Sequence, residues 1–202
     1  MKDLKGGIAM AKNLYVTAAE AGSGKSTLIL GIMYLLLKNV RNVAFFRPII
    51  PDPAKPTSRD HNINLVLSHF NLDLPYEDTF AYTFNEARQT ISQGNHALLL
   101  DNILHKYKQL ESRYDFVLCE GSDFIALDSA FEFDLNADIA ANLGAPVIVV
   151  ASAKDKTCPE ILASTQTTLD LLNDTGLNII ACLVNRAVLT EKEKEDLLAS
   201  LL

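Results

Sequence analysis

The sequence lacks the features that mark several large functional classes. It contains no cluster of lysine and arginine residues, and its net charge is −7 with a pI near 5.0. An acidic chain without a basic patch is not expected to bind nucleic acid or an anionic membrane surface. Its longest apolar run, Leu28–Leu37, is about half as long as a membrane-spanning helix needs to be, and no secretory signal precedes it. We therefore expect a cytoplasmic protein with neither a nucleic-acid partner nor a membrane partner.

Cysteine and histidine are also scarce, and their spacing predicts no metal site. The cysteines are odd in number and far apart, which favours reduced thiols over disulfides. The histidines form no metal-ligand pair at helical spacing. These residues are Cys119, Cys158 and Cys182, and His61, His69, His96 and His105. We expect buried or incidental thiols, and imidazoles that lie on the surface or cap helices.

What the sequence does contain is a glycine-rich loop between a strand and a helix. The segment AEAGSGKST runs from Ala19 to Thr27, follows the β-branched run Leu14–Thr17 and precedes an apolar, helix-like stretch. In a phosphate-binding P-loop, small residues let successive backbone N–H groups turn toward phosphate oxygens. A lysine then reaches the outer phosphates, and the next hydroxyl ligates Mg²⁺. Lys25 and Ser26 stand at those two positions.

Nucleotide binding is therefore the leading hypothesis. The usual pattern is G-x-x-x-x-G-K-[ST], and its first position is Ala19 here, where alanine is the smallest replacement for glycine. The alternative, a turn that binds nothing, is disfavoured because GSGKS between strand and helix has few purely structural explanations. The predicted nucleotide-binding residues are Glu20, Ala21, Gly22, Ser23, Gly24, Lys25, Ser26, Thr27, Asn185 and Arg186.

The rest of the chain alternates between apolar strand runs and helical segments. This pattern predicts an α/β, three-layer P-loop NTPase-like fold with a mainly parallel sheet covered by helices on both faces. We expect a flexible leader over residues 1–12, a single domain over residues 13–202, and a proline-rich loop over residues 47–60. The predicted strands are Leu14–Thr17, Asn42–Phe46, Tyr114–Cys119, Pro146–Ala151 and Leu177–Val184, and the predicted helices are Thr27–Lys38, His61–Phe70, Phe84–Gln93, Ala97–Ser112, Asn136–Leu143, Pro159–Asn173 and Thr190–Leu202.

Polar residues follow several predicted strands, and the carboxyl ends of parallel strands are where ligands bind. Glu120 is the leading carboxylate for Mg²⁺ together with Ser26, and Asp60 is a second candidate, because a hard cation takes oxygen ligands. Asn185 offers a donor and an acceptor that suit the edge of adenine. Arg47 can clamp a phosphate or a carboxylate with paired hydrogen bonds. Each has a plain alternative as a helix cap, a turn residue or a solvated surface group.

Several of these stretches resemble the dethiobiotin synthetase-like P-loop proteins, over about Asn13 to Val188. LYVTAAEAGSGKST is similar to that family's V-T-G-T-D-T-x-V-G-K-T loop, and VAFFRPI is similar to its F-K-P segment. FVLCEG, PVIVVAS and ACLVNR are similar to its later motifs, which include the adenine-reading V-x-N. Within that group, DHNINLVLSHFNLD, KYKQLESRYDFVLCEGSDF and EFDLNADIAANLGAPV look like the amino-terminal domain of long-form phosphate acetyltransferases.

That narrower resemblance implies a regulatory or assembly domain. In that family a separate catalytic domain exchanges acetyl between coenzyme A and phosphate. The resemblance implies that this chain binds ATP or another nucleotide with Mg²⁺, and that the effector is this nucleotide or a small metabolite. It also implies a homo-oligomer in which the acetyltransferase catalytic domain is a partner in the same parent chain.

Two departures from the synthetase motifs favour the regulatory interpretation. Arg47 stands where the synthetases have lysine, and EGSDF replaces the glycine-rich E-G-A-G-G substrate loop, so that Asp123 and Phe124 add side chains there. If the chain were instead an ATP-dependent ligase like dethiobiotin or cobyrinate diamide synthases, Lys25 and Arg47 would be its catalytic residues. A partitioning-type ATPase, the third hypothesis, would have a second lysine early in the loop, near the position of Glu20.

Overall fold

Strands and helices alternate along most of the chain, as the sequence predicts. The computed structural model describes residues 12–18, 20, 22–55, 57–122 and 129–201, and within these ranges no helix is both long and apolar enough to cross a bilayer. The strands are β1 (Asn13–Ala18), β2 (Val43–Phe46), β3 (Ile49–Ile50), β4 (Tyr82–Thr83), β5 (Phe116–Glu120), β6 (Val147–Ser152) and β7 (Ile179–Asn185). The helices are α1 (Lys25–Asn39), α2 (His61–Phe70), α3 (Phe84–Ser92), α4 (His96–Glu111), α5 (Ser129–Asn142), α6 (Cys158–Asp174) and α7 (Glu191–Leu201), with a short 3₁₀ helix at Tyr76–Asp78.

Five of the strands form one parallel sheet in the order β2–β5–β1–β6–β7. The chain steps from β1 toward β2 in one direction and from β5 toward β6 in the other. Right-handed crossovers therefore place α1 and α5 on opposite faces of the sheet. The central strands are apolar and buried, and the main hydrophobic core packs around them. The predicted three-layer α/β fold of the P-loop NTPase type is confirmed.

Strand register gathers the functional residues at one end of the sheet. Val16 of β1 lies opposite Glu120 of β5, and Ser152 of β6 lies opposite Asn185 of β7. The strands therefore end at similar heights, and the loops that follow them meet at the carboxyl edge. This is the edge where open α/β sheets bind ligands.

Two local features differ from the predicted pattern. Helix α5 begins at Ser129, seven residues before the predicted start at Asn136, because acidic residues interleaved with phenylalanine obscure its helical periodicity. The proline-rich loop contains the short strand β3, which pairs in parallel with β4. Prolines at positions 48 and 51 flank β3 and confine it to two residues, since proline cannot donate to a strand ladder.

The two edges of the sheet differ in exposure. At one edge, every residue of β2 is buried, and the adjacent Arg47 N–H donates to the carbonyl of Thr79. At the other edge, the β7 residues Ile180 and Leu183 are 55% and 41% exposed. Among the residues that the structure describes, the sheet is therefore covered on its β2 side and open on its β7 side.

Candidate functional site

The loop between β1 and α1 lines a cavity of about 330 Å³. Gly22 and Gly24 have φ values of 68° and 93°, in a region that glycine adopts readily and other residues do not. A Cβ on Gly24 would lie 2.1 Å from Asn185 Nδ2, so only glycine fits there without displacing that side chain. The cavity is lined by Gly22, Ser23, Gly24, Lys25, Ser26, Thr27, Asn62 and Arg186. The structure thus brings most of the predicted nucleotide-binding residues together, at the N-terminus of α1, where the helix dipole favours an anion.

The Lys25 side chain reaches the loop that follows β5. Lys25 is buried, and its ammonium donates hydrogen bonds to the carbonyl oxygens of Gly121 and Ser122, the latter at 3.1 Å. These carbonyls offer the ammonium two neutral acceptor dipoles. A phosphate group would offer the ammonium a stronger, charge-assisted partner.

Asn136 of α5 fixes the orientation of those carbonyl groups. Its buried Oδ1 accepts hydrogen bonds from the Tyr15 hydroxyl at 2.8 Å and from the Ser122 backbone N–H at 3.0 Å. Burial, reinforced by the neighbouring Glu120, raises the pKa of Tyr15 well above its usual value, so the hydroxyl keeps its proton and donates. A Cβ on Gly121 would lie 2.6 Å from the same oxygen. Gly121 and Ser122 are therefore held against α5 while their carbonyls face Lys25.

The two leading candidates for Mg²⁺ ligation converge on one side chain. Asn62 Nδ2 donates to Ser26 Oγ at 2.9 Å and to Glu120 Oε1 at 3.0 Å. A hydroxyl and a buried carboxylate brought together in this way fit the oxygen preference of Mg²⁺. Across the described ranges, no group of three or more histidine, cysteine, aspartate or glutamate side chains is arranged to hold a metal ion. A bound Mg²⁺ would therefore complete its shell with phosphate oxygens and water, as is usual for this ion.

Asp60 and Arg47 form a separate, buried pair. Arg47 Nη1 lies 2.8 Å from Asp60 Oδ2, and the two side chains are only 2% and 5% exposed. The other carboxylate oxygen of Asp60 caps α2 by accepting from the Ile63 N–H at 2.9 Å. Both oxygens are thus engaged by groups other than Ser26 and Glu120. The structure does not bring Asp60 to the predicted metal ligands, and its role as a ligand stays a prediction.

Asn185 contacts the P-loop itself. Its Nδ2 donates to the Ser23 carbonyl at 2.8 Å, and its Oδ1 accepts from the Arg186 N–H at 2.9 Å. A mostly apolar cavity of about 320 Å³ lies beside it, lined by Gly24, Thr27, Leu28, Gly31, Val150, Leu183, Val184 and Asn185. Asn185 therefore braces the loop, and its predicted contact with a base stays a prediction.

The remaining predicted residues lie at the border of the site or outside the described ranges. Glu20 accepts from Lys156 Nζ at 2.6 Å and from the Ser152 N–H at 3.2 Å. Ala21, Asp123 and Phe124 belong to the positions that the structure does not describe, as does the predicted leader apart from residue 12.

Three contributors were missed by the sequence reasoning: Asn62, Asn136 and Lys156. The partners of Asn62 lie 36 and 58 residues away along the chain, and Lys156 pairs across 136 residues. No spacing rule links such positions. For Asn62, the available signal was its place in the first turn of a predicted helix that directly follows a long loop.

The cysteines play no part in this chemistry. Cys119, Cys158 and Cys182 are all free thiols, as predicted. Burial raises the pKa of Cys119 far above its usual value and also raises the pKa of Cys182. Since the thiolate is the reactive form, these two thiols are poor nucleophiles at neutral pH.

Residues 12–201 match the protein family described as an AAA domain. The chain belongs to this family. This AAA-domain chain is 59% identical over 192 residues to a phosphate acetyltransferase of Nitratidesulfovibrio vulgaris, covering 95% of the chain and 27% of that protein. It is 41% identical over 177 residues to a phosphate acetyltransferase of Synechocystis sp., covering 88% of the chain and 25% of that protein. The chain thus spans about a quarter of the length of these relatives.

The chain is also similar to a more distant enzyme and to a solved structure. The AAA-domain chain is 24% identical over 185 residues to an ATP-dependent dethiobiotin synthetase of Clostridium kluyveri, covering 88% of the chain and 75% of that enzyme. Its fold is similar to that of a GTPase from Pyrococcus abyssi, with a TM-score of 0.54, 18% identity, and coverage of 93% and 77% of the two chains. The predicted resemblance to the dethiobiotin synthetase-like domain of phosphate acetyltransferases is confirmed. The chain is a P-loop nucleotide-binding domain.

Proposed function

We propose that this chain is a regulatory, ATP-binding domain of a phosphate acetyltransferase, and that a separate part of the longer protein transfers acetyl between coenzyme A and phosphate. The proposal is carried by one combination. A cavity lined by the P-loop residues Gly22 to Thr27 lies in a chain that spans only about a quarter of its phosphate acetyltransferase relatives. We further propose that the parent protein is a homo-oligomer whose activity responds to the bound nucleotide or to a small metabolite.

In this proposal the ATP phosphates lie at the N-terminus of α1. The loop N–H groups and the Lys25 ammonium bind their oxygens, and Lys25 exchanges its carbonyl partners for phosphate. Ser26 and Glu120 hold Mg²⁺, which when bound offsets the charge of the outer phosphates. Asn185 and the apolar cavity beside it lie on the side of the loop where the base would be bound.

The second candidate is an ATP-dependent ligase, favoured by the 75% coverage of a dethiobiotin synthetase. The state of Arg47 argues against it. The synthetase motif has lysine at this position, and here the guanidinium is 2% exposed and pairs with Asp60. Arginine so engaged is poorly placed to bind a substrate phosphate or carbamate. The partitioning-type ATPase is disfavoured in a similar way, because Glu20 brings a negative charge to the loop and pairs with Lys156.

Calorimetry with ATP and Mg²⁺ tests the site. Lys25→Ala should weaken ATP binding by roughly ten- to a hundredfold, since a hydrogen bond to a charged group contributes about 1.5–3 kcal/mol. Lys108→Ala is the matched control, because Lys108 is 56% exposed near the end of α4, before β5 begins, and its loss should leave affinity unchanged. Equal affinity in the wild type and Lys25→Ala would show that the loop is not the nucleotide site.

Activity assays test the regulatory role. The chain alone should not form acetyl phosphate from acetyl-CoA and phosphate, and should not turn over ATP with diaminopelargonate. Robust turnover of diaminopelargonate would refute the regulatory proposal and establish the ligase instead.

A further inference from the structure

Asn62 has a position that its polarity alone does not explain. It lies in the first turn of α2, is half-buried, and bridges Ser26 of α1 and Glu120 of β5. Glu120 is fully buried, and a carboxylate oxygen accepts hydrogen bonds. The group that faces it must therefore be the amide N–H₂ of Asn62 and not the amide oxygen. This one NH₂ group donates both to Ser26 Oγ and to Glu120 Oε1.

We propose that the Asn62 amide nitrogen is a placeholder for the cation of this site, an inference that rests on the proposed function. Its N–H₂ group carries partial positive charge and joins the hydroxyl of Ser26 to the carboxylate of Glu120. A Mg²⁺ ion bound by those two oxygens would require the same region at ligand distances of about 2.0–2.1 Å. Two positively polarised groups cannot share that region. When the ion binds, the amide turns, and its oxygen instead of its nitrogen faces the ion.

Nuclear magnetic resonance of the ¹⁵N-labelled chain tests the exchange directly. The Asn62 side-chain N–H₂ signals are identified by their loss in Asn62→Asp, and Mg²⁺ with ATP is then titrated into the wild type. We expect these signals to move toward those of the exposed Asn64 amide, together with shifts in the backbone amides of Gly22 and Gly24. Shifts in the glycines with an unmoved Asn62 would overturn the inference and leave the proposed function intact. Unmoved glycine signals would refute the proposed nucleotide site.

A second measurement needs Mg²⁺ alone and decides the inference whether or not ATP binds. Asn62→Asp replaces the amide beside Ser26 and Glu120 by a carboxylate with little change of shape, whereas Asn64→Asp adds the same charge two residues along the exposed side of α2. Thermal unfolding is followed in EDTA and in increasing Mg²⁺. Asn62→Asp should bind Mg²⁺ about tenfold or more tightly than Asn64→Asp, given the usual sensitivity of metal sites to neighbouring groups. An equal Mg²⁺ response in the two variants would show that Asn62 does not lie at a cation position.

Discussion

Gly24 and Asn185 provide a sharp test of the geometry at the P-loop. Gly24 has a φ of 93°, and Asn185 Nδ2 lies 2.1 Å from where a Cβ would be. An alanine in a left-handed conformation costs about 1–2 kcal/mol. The clash also forces the Asn185 amide away from the Ser23 carbonyl, which it contacts at 2.8 Å, and so removes a hydrogen bond worth about 1 kcal/mol. Gly24→Ala should therefore lower the free energy of unfolding by roughly 2–3 kcal/mol.

The double variant shows whether the clash is real. Asn185→Ala alone loses the hydrogen bond, about 1 kcal/mol. Once Asn185 is truncated, Gly24→Ala costs only the strain of alanine in a left-handed backbone conformation. The double variant should therefore be no less stable than Gly24→Ala. The two substitutions would then be non-additive by about 1 kcal/mol, which is measurable in a double-mutant cycle by urea unfolding.

Gly22 supplies the control cycle. Its φ is 68°, and nothing lies within 4 Å of an added Cβ, so Gly22→Ala has the backbone cost without the clash. Its effect should add to that of Asn185→Ala within about 0.5 kcal/mol. Additive behaviour in both cycles would refute the contact between Gly24 and Asn185 on which the bracing role depends.

The remaining predictions concern a buried ion pair and a helix cap. Asp60→Asn keeps a good helix cap but removes the carboxylate that pairs with the buried Arg47. It should lower the free energy of unfolding, measured in urea, by roughly 3 kcal/mol. Adding Arg47→Met should recover most of this loss, and no recovery would contradict the ion-pair argument. The pKa of Glu193 lies below its usual value, mainly because its carboxylate accepts a hydrogen bond from the backbone N–H of Thr190 and also because it accepts one from the Thr190 hydroxyl. The stabilisation of α7 by this carboxylate is therefore fully present above the ordinary glutamate pKa and is lost as the pH falls through the lowered pKa. Hydrogen exchange in α7 should accordingly differ between wild type and Glu193→Gln at neutral pH and converge in acid; a constant difference would contradict this assignment.

The sequence was most informative where structure depends on neighbours along the chain. The predicted bounds of His61–Phe70 are those of α2, and a capping box between Thr190 and Glu193 stands at the predicted start of the last helix. The P-loop was also recognisable, because the roles of Gly24 and Lys25 follow from local backbone geometry.

Contacts between distant segments were not predictable from one sequence. Arg47 and Asp60 were predicted as separate ligand-binding residues, yet they neutralise each other in the interior. Asn62 and Asn136 are ordinary helix residues by pattern, and only the packing of α2 and α5 against the sheet gives their amides a role. The order of the strands in the sheet decides which distant side chains meet. That order is set by the crossover connections and not by the types of the residues.

The open β7 edge has a consequence for handling this domain by itself. Strand β7 reads IIACLVN and contains neither a charged residue nor a proline, two of the devices by which proteins keep sheet edges from pairing. Its irregularity is a register shift against β6, in which Ile180 is the extra residue. Ile180, which is 55% exposed, adds apolar surface to this hydrogen-bonding edge. The isolated polypeptide is thus vulnerable to edge-to-edge self-association at high concentration. Ile180→Lys should keep the domain monomeric, because a charge on the edge opposes strand pairing. Position 180 lies at the opposite end of β7 from Asn185.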